Sequence, residues 1–469
     1  MNETGTSNRV CCYGAIPYVV VVFAFLMLSA MLGVTVPTEV PDTSGYTEFE
    51  WGAPEFLAQK RTFGYPLFLL LQKALVGDHR WASWGHALIY AAAAVFFSAT
   101  VSKLPRTRLA TLVGLLGSNI FWLYGQTIAT DTPAAAMGLF TMAWTLRLSR
   151  CWTTRSAVAV CLSASAAWCI RPAMLAVIPA AAFTCFLTVS GSALTGSAVD
   201  SASPRLRERL LHSGRLLVLL CVPVLMFCGL RLVALGKFGI VSFGGYNLIG
   251  LVGQFPEADT VDLSTPEALA VQQAAARRKT ESPPSLGELS EMNYTRLEAN
   301  YDTAIWQWYE PAAREVVGDD ATRVNSILRE MGGEILRRSL RNYAVWLAKS
   351  FRQAVRRTLD DLAESPMGLV SIVLLAGSVL VRRQWPSREV IPLITTGLVY
   401  WGSLIGLTVL VCPPLSRMTD AAAVFAPAAL LASAVDVLFP QEKFSKTQAK
   451  PDEQGLFAVR PPYTSVQSG

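Results

Sequence analysis

Long apolar blocks are the feature that most constrains the fold of this chain. Most of them run for about 15 to 23 residues and end at a charge or a proline, and a helix of that length crosses roughly 30 Å of hydrocarbon. Hydrophobic residues make up 52% of the sequence and charged residues only 16%. A soluble protein would then need an implausibly apolar surface. The sequence therefore predicts an all-α integral membrane protein.

The blocks predict about ten transmembrane helices. Cations cluster between alternate blocks, as expected for cytoplasmic loops, whereas the short turns on the other side hold only Arg171 and Arg417. This pattern places both chain ends in the cytoplasm. The predicted spans are 14–36, 83–102, 109–127, 132–146, 156–170, 172–190, 216–234, 367–381, 389–411 and 419–438. The inside cations are Lys103, Arg106, Arg108, Arg147, Arg150, Arg155, Arg205, Arg207, Arg209, Arg215, Arg382, Arg383 and Arg388.

Two outside segments are too long to be simple connectors, and they set the domain organisation. The predicted parts are an N-terminal transmembrane module 1–234 with a first outside loop 37–82, a large outside loop 235–366, C-terminal transmembrane helices 367–439 and a cytoplasmic tail 440–469. Interfacial helices are expected in both outside loops, notably at 334–357. There an apolar stripe lies opposite a basic face. The alternative for 334–357 is a helix packed on its own soluble subdomain.

Several classes of site are excluded by motif and spacing. The chain has no GxxxxGK[ST] loop and no GxGxxG after a strand, so a nucleotide site is not predicted. Its net charge of +6 comes mostly from cations between apolar blocks, which indicates topology rather than nucleic-acid binding. The nine cysteines show no CxxC spacing and the three histidines are far apart, so neither a disulfide framework nor a metal site follows.

Polar residues gather in the first outside loop and at outside helix ends. Asp42 and Tyr46 follow the first span, and Lys60 precedes the run from Arg61 to Pro66. Further along, the predicted outside turns contain Thr130-Asp131-Thr132-Pro133, Arg171-Pro172 and Arg417. Nearly all of these charges belong to one side of the predicted bundle.

These landmarks resemble a known family. The Asp-x-x-x-Tyr of Asp42 and Tyr46, the Arg-Thr-x-Gly-Tyr-Pro from Arg61 to Pro66, and the outward Asp131 are similar to those of bacterial polyprenyl-phosphate-sugar-dependent glycosyltransferases. These belong to the GT-C superfamily, which includes protein O-mannosyltransferases and the lipid A aminoarabinose transferase. Arg171-Pro172 and Arg417 extend the resemblance. The departures are Phe63 in place of proline, Met418 in place of tyrosine, and no glutamate beside Asp42.

The resemblance implies a GT-C-like fold and an inverting transfer on the extracytoplasmic face of the inner or plasma membrane. A hydroxyl of a glycan, lipid or protein would attack a sugar carried on polyprenyl phosphate. Asp42 is the predicted general base, with a solvated loop acid or helix cap as its alternative. Asp131 is the second predicted catalytic acid, which would orient the acceptor or hold a divalent cation. Its alternative is a helix N-cap. No cofactor is otherwise implied.

The leaving lipid phosphate needs cationic partners, and arginine binds phosphate bidentately. The alternative for these side chains is snorkelling to lipid headgroups. Aromatic residues on this face are expected to line the substrate groove, and interface anchors are the alternative. The predicted phosphate-binding residues are Lys60, Arg61, Arg171, Arg231 and Arg417. The predicted groove residues are Tyr46, Tyr65, Tyr246 and Asn247.

Three other functions stay open at this stage. A secondary transporter would also be a polytopic bundle, but the chain shows no inverted repeat and its polar groups avoid the membrane midplane. An oligosaccharide ligase or polymerase would use the same arginines with a pyrophosphate-linked donor. A non-catalytic scaffold of an envelope complex would use the large outside loop as a binding surface.

Overall fold

The computed structural model describes residues 7–52, 55–189, 206–286 and 293–440, and these are helical with no strand among them. The predicted tail 440–469 lies, beyond residue 440, outside the described residues. The longer helices are α1 Ser7–Met31, α2 Gly64–Val76, α3 Ala82–Val101, α4 Pro105–Leu116, α5 Asp131–Arg150, α6 Thr154–Ile170, α7 Val177–Thr188, α8 Leu206–Leu235, α9 Gly244–Val252, α10 Pro266–Glu281, α11 Glu310–Val317, α12 Ala321–Arg338, α13 Leu340–Glu364, α14 Pro366–Arg382, α15 Ile391–Val411 and α16 Ala426–Leu438.

Short helical segments connect the longer ones. They are α-helical at Ser44–Thr47, Glu55–Ala58, Asn119–Tyr124, Tyr294–Ala299, Tyr301–Thr303 and Ser416–Ala422. The 3-10 segments are His79–Trp81, Pro172–Ala176 and Pro256–Asp259, and Ala304–Tyr309 is a π-helical turn.

The chain is a multi-pass membrane protein. Four described stretches are long and apolar enough to cross a bilayer, namely His79–Val101, Leu206–Leu235, Ile391–Val411 and Ser416–Leu438. A fifth follows only if α13 and α14, which meet at 88°, are counted as one broken span. The structure therefore does not establish the predicted count of about ten. The shorter apolar helices Ala15–Met31, Gly64–Val76, Thr154–Ile170 and Pro172–Thr188 are the remaining candidates.

Two predicted spans are interrupted in the structure. The span 109–127 is α4 followed by the separate short helix Asn119–Tyr124, because the chain turns at Gly117 and Ser118. The span 419–438 is the short helix Ser416–Ala422 followed by α16. Both interruptions lie at the same end of the bundle. The short helices there carry polar side chains that bond to each other, as Asn119 does to Asp420.

Small residues let the helices of the bundle approach closely. A Cβ added to Gly114 of α4 would come within 2.4 Å of the Ala428 Cα of α16. Such close backbone approach is typical of helix pairs in membranes. At the opposite end, Arg150 donates to the Val101 carbonyl and Arg382 donates to the Leu438 carbonyl. Cations therefore gather where α3, α5, α14 and α16 end.

The segment after α8 forms a helical subdomain with its own core. Its helices are α9 to α12, and its buried centre includes Trp308, Tyr309 and Met331, all with no exposed surface. Gln254 ties this core together, since its amide donates to the Gly250 and Leu297 carbonyls. The predicted large outside loop is thus a packed unit. It lies at the end of the bundle where the short helices Asn119–Tyr124 and Ser416–Ala422 are found.

The predicted interfacial helix 334–357 is divided between two helices. The chain breaks at Ser339, whose hydroxyl donates to Glu257, so α12 ends at Arg338 and α13 begins at Leu340. α12 packs inside the subdomain. α13 contacts both parts, because Trp346 belongs to the buried core of the subdomain and donates to the Val409 carbonyl of α15. The packing of α12 matches the alternative of a helix on its own subdomain, whereas the interfacial placement of 334–357 stays a prediction.

Candidate active site

Backbone pairing positions the first predicted acid. Thr38 and Thr127 form an isolated β-bridge, with the Ile128 amide donating to the Thr38 carbonyl at 2.9 Å. Thr43 then donates its hydroxyl to the Ile128 carbonyl at 3.1 Å. The turn after α1 is therefore fixed beside the segment that leads into α5. This pairing joins the turn that carries Asp42 to the segment just before Asp131, although the two are far apart in sequence.

Asp42 is shared by two arginines. Its Oδ1 accepts from Arg61 at 2.5 Å, and its Oδ2 lies 3.6 Å from the Arg417 guanidinium. The side chains are 30%, 35% and 42% exposed respectively, so the cluster is open to incoming groups. Two guanidinium groups and one carboxylate leave a net positive charge. The geometry therefore favours an anionic ligand at this position.

Steric crowding explains the glycine in the motif from Arg61 to Pro66. A Cβ on Gly64 would lie 2.5 Å from the Cys169 carbonyl carbon, so only glycine allows α2 to begin against the end of α6. Thr62 strengthens this contact by donating its hydroxyl to the Ile170 carbonyl. The loop that carries Arg61 is thereby held against the helix end that carries Arg171.

Asp131 and Arg171 form a second, buried ion pair. Asp131 opens α5 and Arg171 follows α6, and their side chains are 4% and 13% exposed. The carboxylate accepts directly from the Arg171 guanidinium. Thr130, not Asp131, occupies the N-cap position of α5 and makes no side-chain cap bond. The capping alternative for Asp131 is therefore not the arrangement seen.

Tyr46 lies between the two ion pairs. Its ring packs under the Arg61 guanidinium at 5.3 Å and edge-on to Tyr65 at 5.0 Å. Burial raises the pKa of Tyr46, while the positive charge of Arg61 opposes that shift. Tyr65 in turn bonds to His86 at 3.2 Å. Because the other His86 nitrogen bonds to the Gly125 carbonyl and must donate, Tyr65 is the donor to Nε2.

Cys412 is buried at the end of α15, within electrostatic range of Arg171 and Arg417. Burial raises the pKa of its thiol to about 12, although Arg171 and Arg417 both act to lower it. Its sulfur lies 3.8 Å from the Met418 sulfur. The ends of α6 and α15 and the start of the segment Ser416–Ala422 therefore meet near one point.

Lys60 contacts the subdomain rather than the Asp42 cluster. Its ammonium pairs with Glu310 at 3.3 Å and lies 4.7 Å from the Tyr246 ring centre. Glu310 is also held by Arg314. Tyr246 is fully buried, and the Asn247 side chain accepts from Tyr301. These predicted site residues thus connect the first loop to the subdomain.

Arg231 is buried among backbone groups. Its three nitrogens donate to the Leu57 carbonyl, the Gly239 carbonyl and the Ser242 hydroxyl. This arrangement joins the end of α8 to the first loop, and the described contacts of Arg231 do not include Asp42. Its predicted role in phosphate binding stays a prediction with no geometric support here.

Sequence reasoning missed a polar cluster beside the site. Asp420 accepts from Asn119 and from the Tyr124 hydroxyl, both at 3.2 Å. Next to it, Asp361 accepts from Thr419 at 2.7 Å. The available signal was an acid inside a predicted span, which by itself indicates a functional site in membrane proteins. Within the described part of the chain, no group of three His, Cys, Asp or Glu residues could hold a metal ion.

Comparison with known proteins adds little. No family model matches the chain, and no curated protein matches it. Among solved structures, the crystal structure of ArnT from Cupriavidus metallidurans in the apo state matches at 14% identity and a TM-score of 0.27. The match covers 90% of this chain and 78% of that one. A TM-score this low does not establish a shared fold, so the GT-C resemblance stays a prediction.

Proposed function

We propose that this protein is a membrane glycosyltransferase of the GT-C type. It would move a sugar from a polyprenyl-phosphate donor to a hydroxyl acceptor, on the extracytoplasmic side of the inner or plasma membrane. The observation that carries the proposal is the cluster in which Arg61 and Arg417 share Asp42 at one end of a bundle of apolar helices. This cluster offers a cationic phosphate site and a carboxylate side by side.

The donor phosphate would occupy Arg61 and Arg417. Both guanidinium groups are partly exposed, and the Arg417 Nε has no hydrogen-bond partner among the described residues. A lipid phosphate therefore competes with Asp42 for these cations, and the competition frees the carboxylate oxygens. This exchange would link donor binding to the release of the base.

The transfer is then a single inverting displacement. The acceptor oxygen forms a bond to the anomeric carbon while the bond from that carbon to the phosphate oxygen breaks. The electron pair leaves with the polyprenyl phosphate, whose charge Arg61 and Arg417 stabilise. Asp42 takes the proton of the acceptor hydroxyl. We assign Asp131 and Arg171 to positioning, because their buried pair fixes two helix ends beside Tyr46.

The primary test is transfer of labelled sugar from polyprenyl phosphate in membranes that contain the full chain. We expect Asp42→Asn to lower turnover by about 10²- to 10⁴-fold, the usual contribution of a general base. Asp78→Asn is the matched control, since Asp78 lies in the same loop and contacts only Arg80 among its described ion pairs. Unchanged turnover in Asp42→Asn would remove the base assignment.

A second test addresses the side of the membrane. In a chain lacking its native cysteines, Glu50→Cys and Asp302→Cys would both expose a thiol at the site end, and Arg155→Cys at the opposite end. An impermeant maleimide should label the first two in intact cells and leave the third unlabelled. The reverse pattern would place the site in the cytoplasm, where the proposed lipid-linked donor chemistry loses its rationale.

A further inference from the structure

The angle between α13 and α14 orients α13 relative to the membrane. The two helices meet at 88°, with Ser365 capping the start of α14. α14 is apolar and exposes Leu369, Val370 and Val373 to its surroundings. α13 carries charges along its whole length and cannot lie in hydrocarbon. If α14 crosses the bilayer, α13 therefore lies along its surface.

α13 presents three different faces. Trp346, Ser350 and Ala354 are buried against the protein. A second face carries the exposed or half-exposed apolar residues Leu340, Leu347, Phe351, Val355 and Leu359. The third face is basic and exposed, and it includes Arg341, Arg352 and Arg356. This arrangement is typical of an interfacial helix, whose apolar face meets the acyl chains and whose basic face meets the lipid headgroups.

An apolar cavity of about 650 Å³ lies beneath the second face. Its walls come from four helices, through Leu359 and Leu362 of α13, Val379 of α14, Ile394 and Leu398 of α15, and Ala429 of α16. On α15 the lining runs from Ile391 to Trp401, which is about 15 Å of helix. The cavity is therefore long enough for part of a lipid chain and offers almost no polar partner.

We propose that this cavity and the basic face of α13 together bind one anionic phospholipid of the bilayer. The phosphate would lie on Arg352 and Arg356, and one acyl chain would fill the cavity. Arg352 and Arg356 are one turn apart on one side of the helix, next to the cavity-lining Val355 and Leu359. Arg356 lies 3.5 Å from Asp360, but both side chains are more than half exposed, so that pair is weak.

This lipid site is separate from the proposed donor site. None of Asp42, Arg61, Arg171 and Arg417 lines the cavity. Asp361 and Asp420 lie close to the wall of the cavity that Leu362 and Ala422 form. Two carboxylates there disfavour passage of a phosphate between the two sites. The occupant we assign is therefore a structural membrane lipid and not the sugar donor.

The test is lipid retention by the purified full chain, measured by native mass spectrometry. The lipids are dioleoyl-phosphatidylglycerol, dioleoyl-phosphatidylcholine and polyprenyl phosphate, each added alone. We expect the wild-type chain to retain phosphatidylglycerol in preference to phosphatidylcholine. The double variant Arg352→Gln with Arg356→Gln should lose about tenfold in that preference, which corresponds to about 1.4 kcal/mol. The charge-matched control is Arg323→Gln with Arg329→Gln on the exposed surface of α12.

Two further arms identify the occupant. Leu398→Trp narrows the cavity from its exposed wall and should weaken retention of phosphatidylglycerol while the basic face stays intact. Inorganic phosphate should fail to displace the lipid, because it has no chain for the cavity. Equal retention of the two phospholipids, or an unaffected double variant, would overturn the proposal. Stronger retention of polyprenyl phosphate that depends on Arg352 and Arg356 would also overturn it, since the site would then hold the donor.

Discussion

The two aspartate–arginine pairs at the site end of this protein look alike in sequence but differ in burial. Asp131 and Arg171 are 4% and 13% exposed, whereas Asp42 and its two arginines are about one third exposed. A buried pair is hard to separate, because either partner alone would be left charged without water. An exposed pair exchanges partners readily. We propose from this difference that the first pair holds the fold and the second pair binds ligand.

The largest expected effect tests the buried pair. Asp131→Ala leaves Arg171 charged and buried without its carboxylate, and we expect a loss of about 3–5 kcal/mol in stability. The measurement is thermal unfolding of the detergent-purified chain. Glu267→Ala is the control, because this carboxylate and its partner Arg323 are 60% and 59% exposed, so no buried charge loses its partner. If Asp131→Ala unfolds at the wild-type temperature, the pair does not hold the fold.

Removal of both Asp131 and Arg171 separates the cost of an unpaired buried charge from the loss of the ion pair itself. Asp131→Leu with Arg171→Met replaces the ion pair by apolar groups of similar size. We expect the double variant to recover at least half of the stability lost in Asp131→Ala, since no uncompensated charge remains. A double variant as unstable as the single one would show that the pair contributes geometry that apolar packing cannot replace.

The exposed cluster is tested through the donor. Arg417→Lys keeps the charge but removes the planar pair of donors that suits a phosphate oxygen pair. We expect kcat/KM for the polyprenyl-phosphate sugar to fall by about tenfold, the equivalent of about 1.4 kcal/mol. Arg80→Lys in the same outside region is the control. A drop of equal size in the control would trace the effect to general surface charge.

The smallest expected effect completes the comparison. Asp42→Asn should change the unfolding temperature little, because exposed ion pairs contribute about 0–1 kcal/mol. The same thermal measurement used for Asp131→Ala applies. Stability losses of similar size in the two variants would remove the distinction between a holding pair and a binding pair.

The predicted site residues fall into three groups according to what they contact. Asp42, Tyr46, Arg61, Tyr65, Asp131, Arg171 and Arg417 come together at one end of the bundle. Lys60, Tyr246 and Asn247 instead connect the first loop with the subdomain. Arg231 donates its hydrogen bonds to backbone carbonyl groups of the loops, at Leu57 and Gly239. Sequence spacing cannot separate these cases, because an arginine at a helix end looks the same whether its donors face a cleft or a carbonyl group.

The sequence by itself determined the helical membrane class and that most of the predicted site residues lie at helix ends. Both depend on local patterns, since the length of an apolar block and its flanking charges need no knowledge of distant residues. Tertiary structure decided which acid is buried, where α12 gives way to α13, and that Asp361 and Asp420 lie beside the site. Those outcomes depend on contacts between segments hundreds of residues apart, such as Asn119 with Asp420. Burial is a property of the packed chain, and it is what distinguishes the pair of Asp131 and Arg171 from the partly exposed pairs of Asp42.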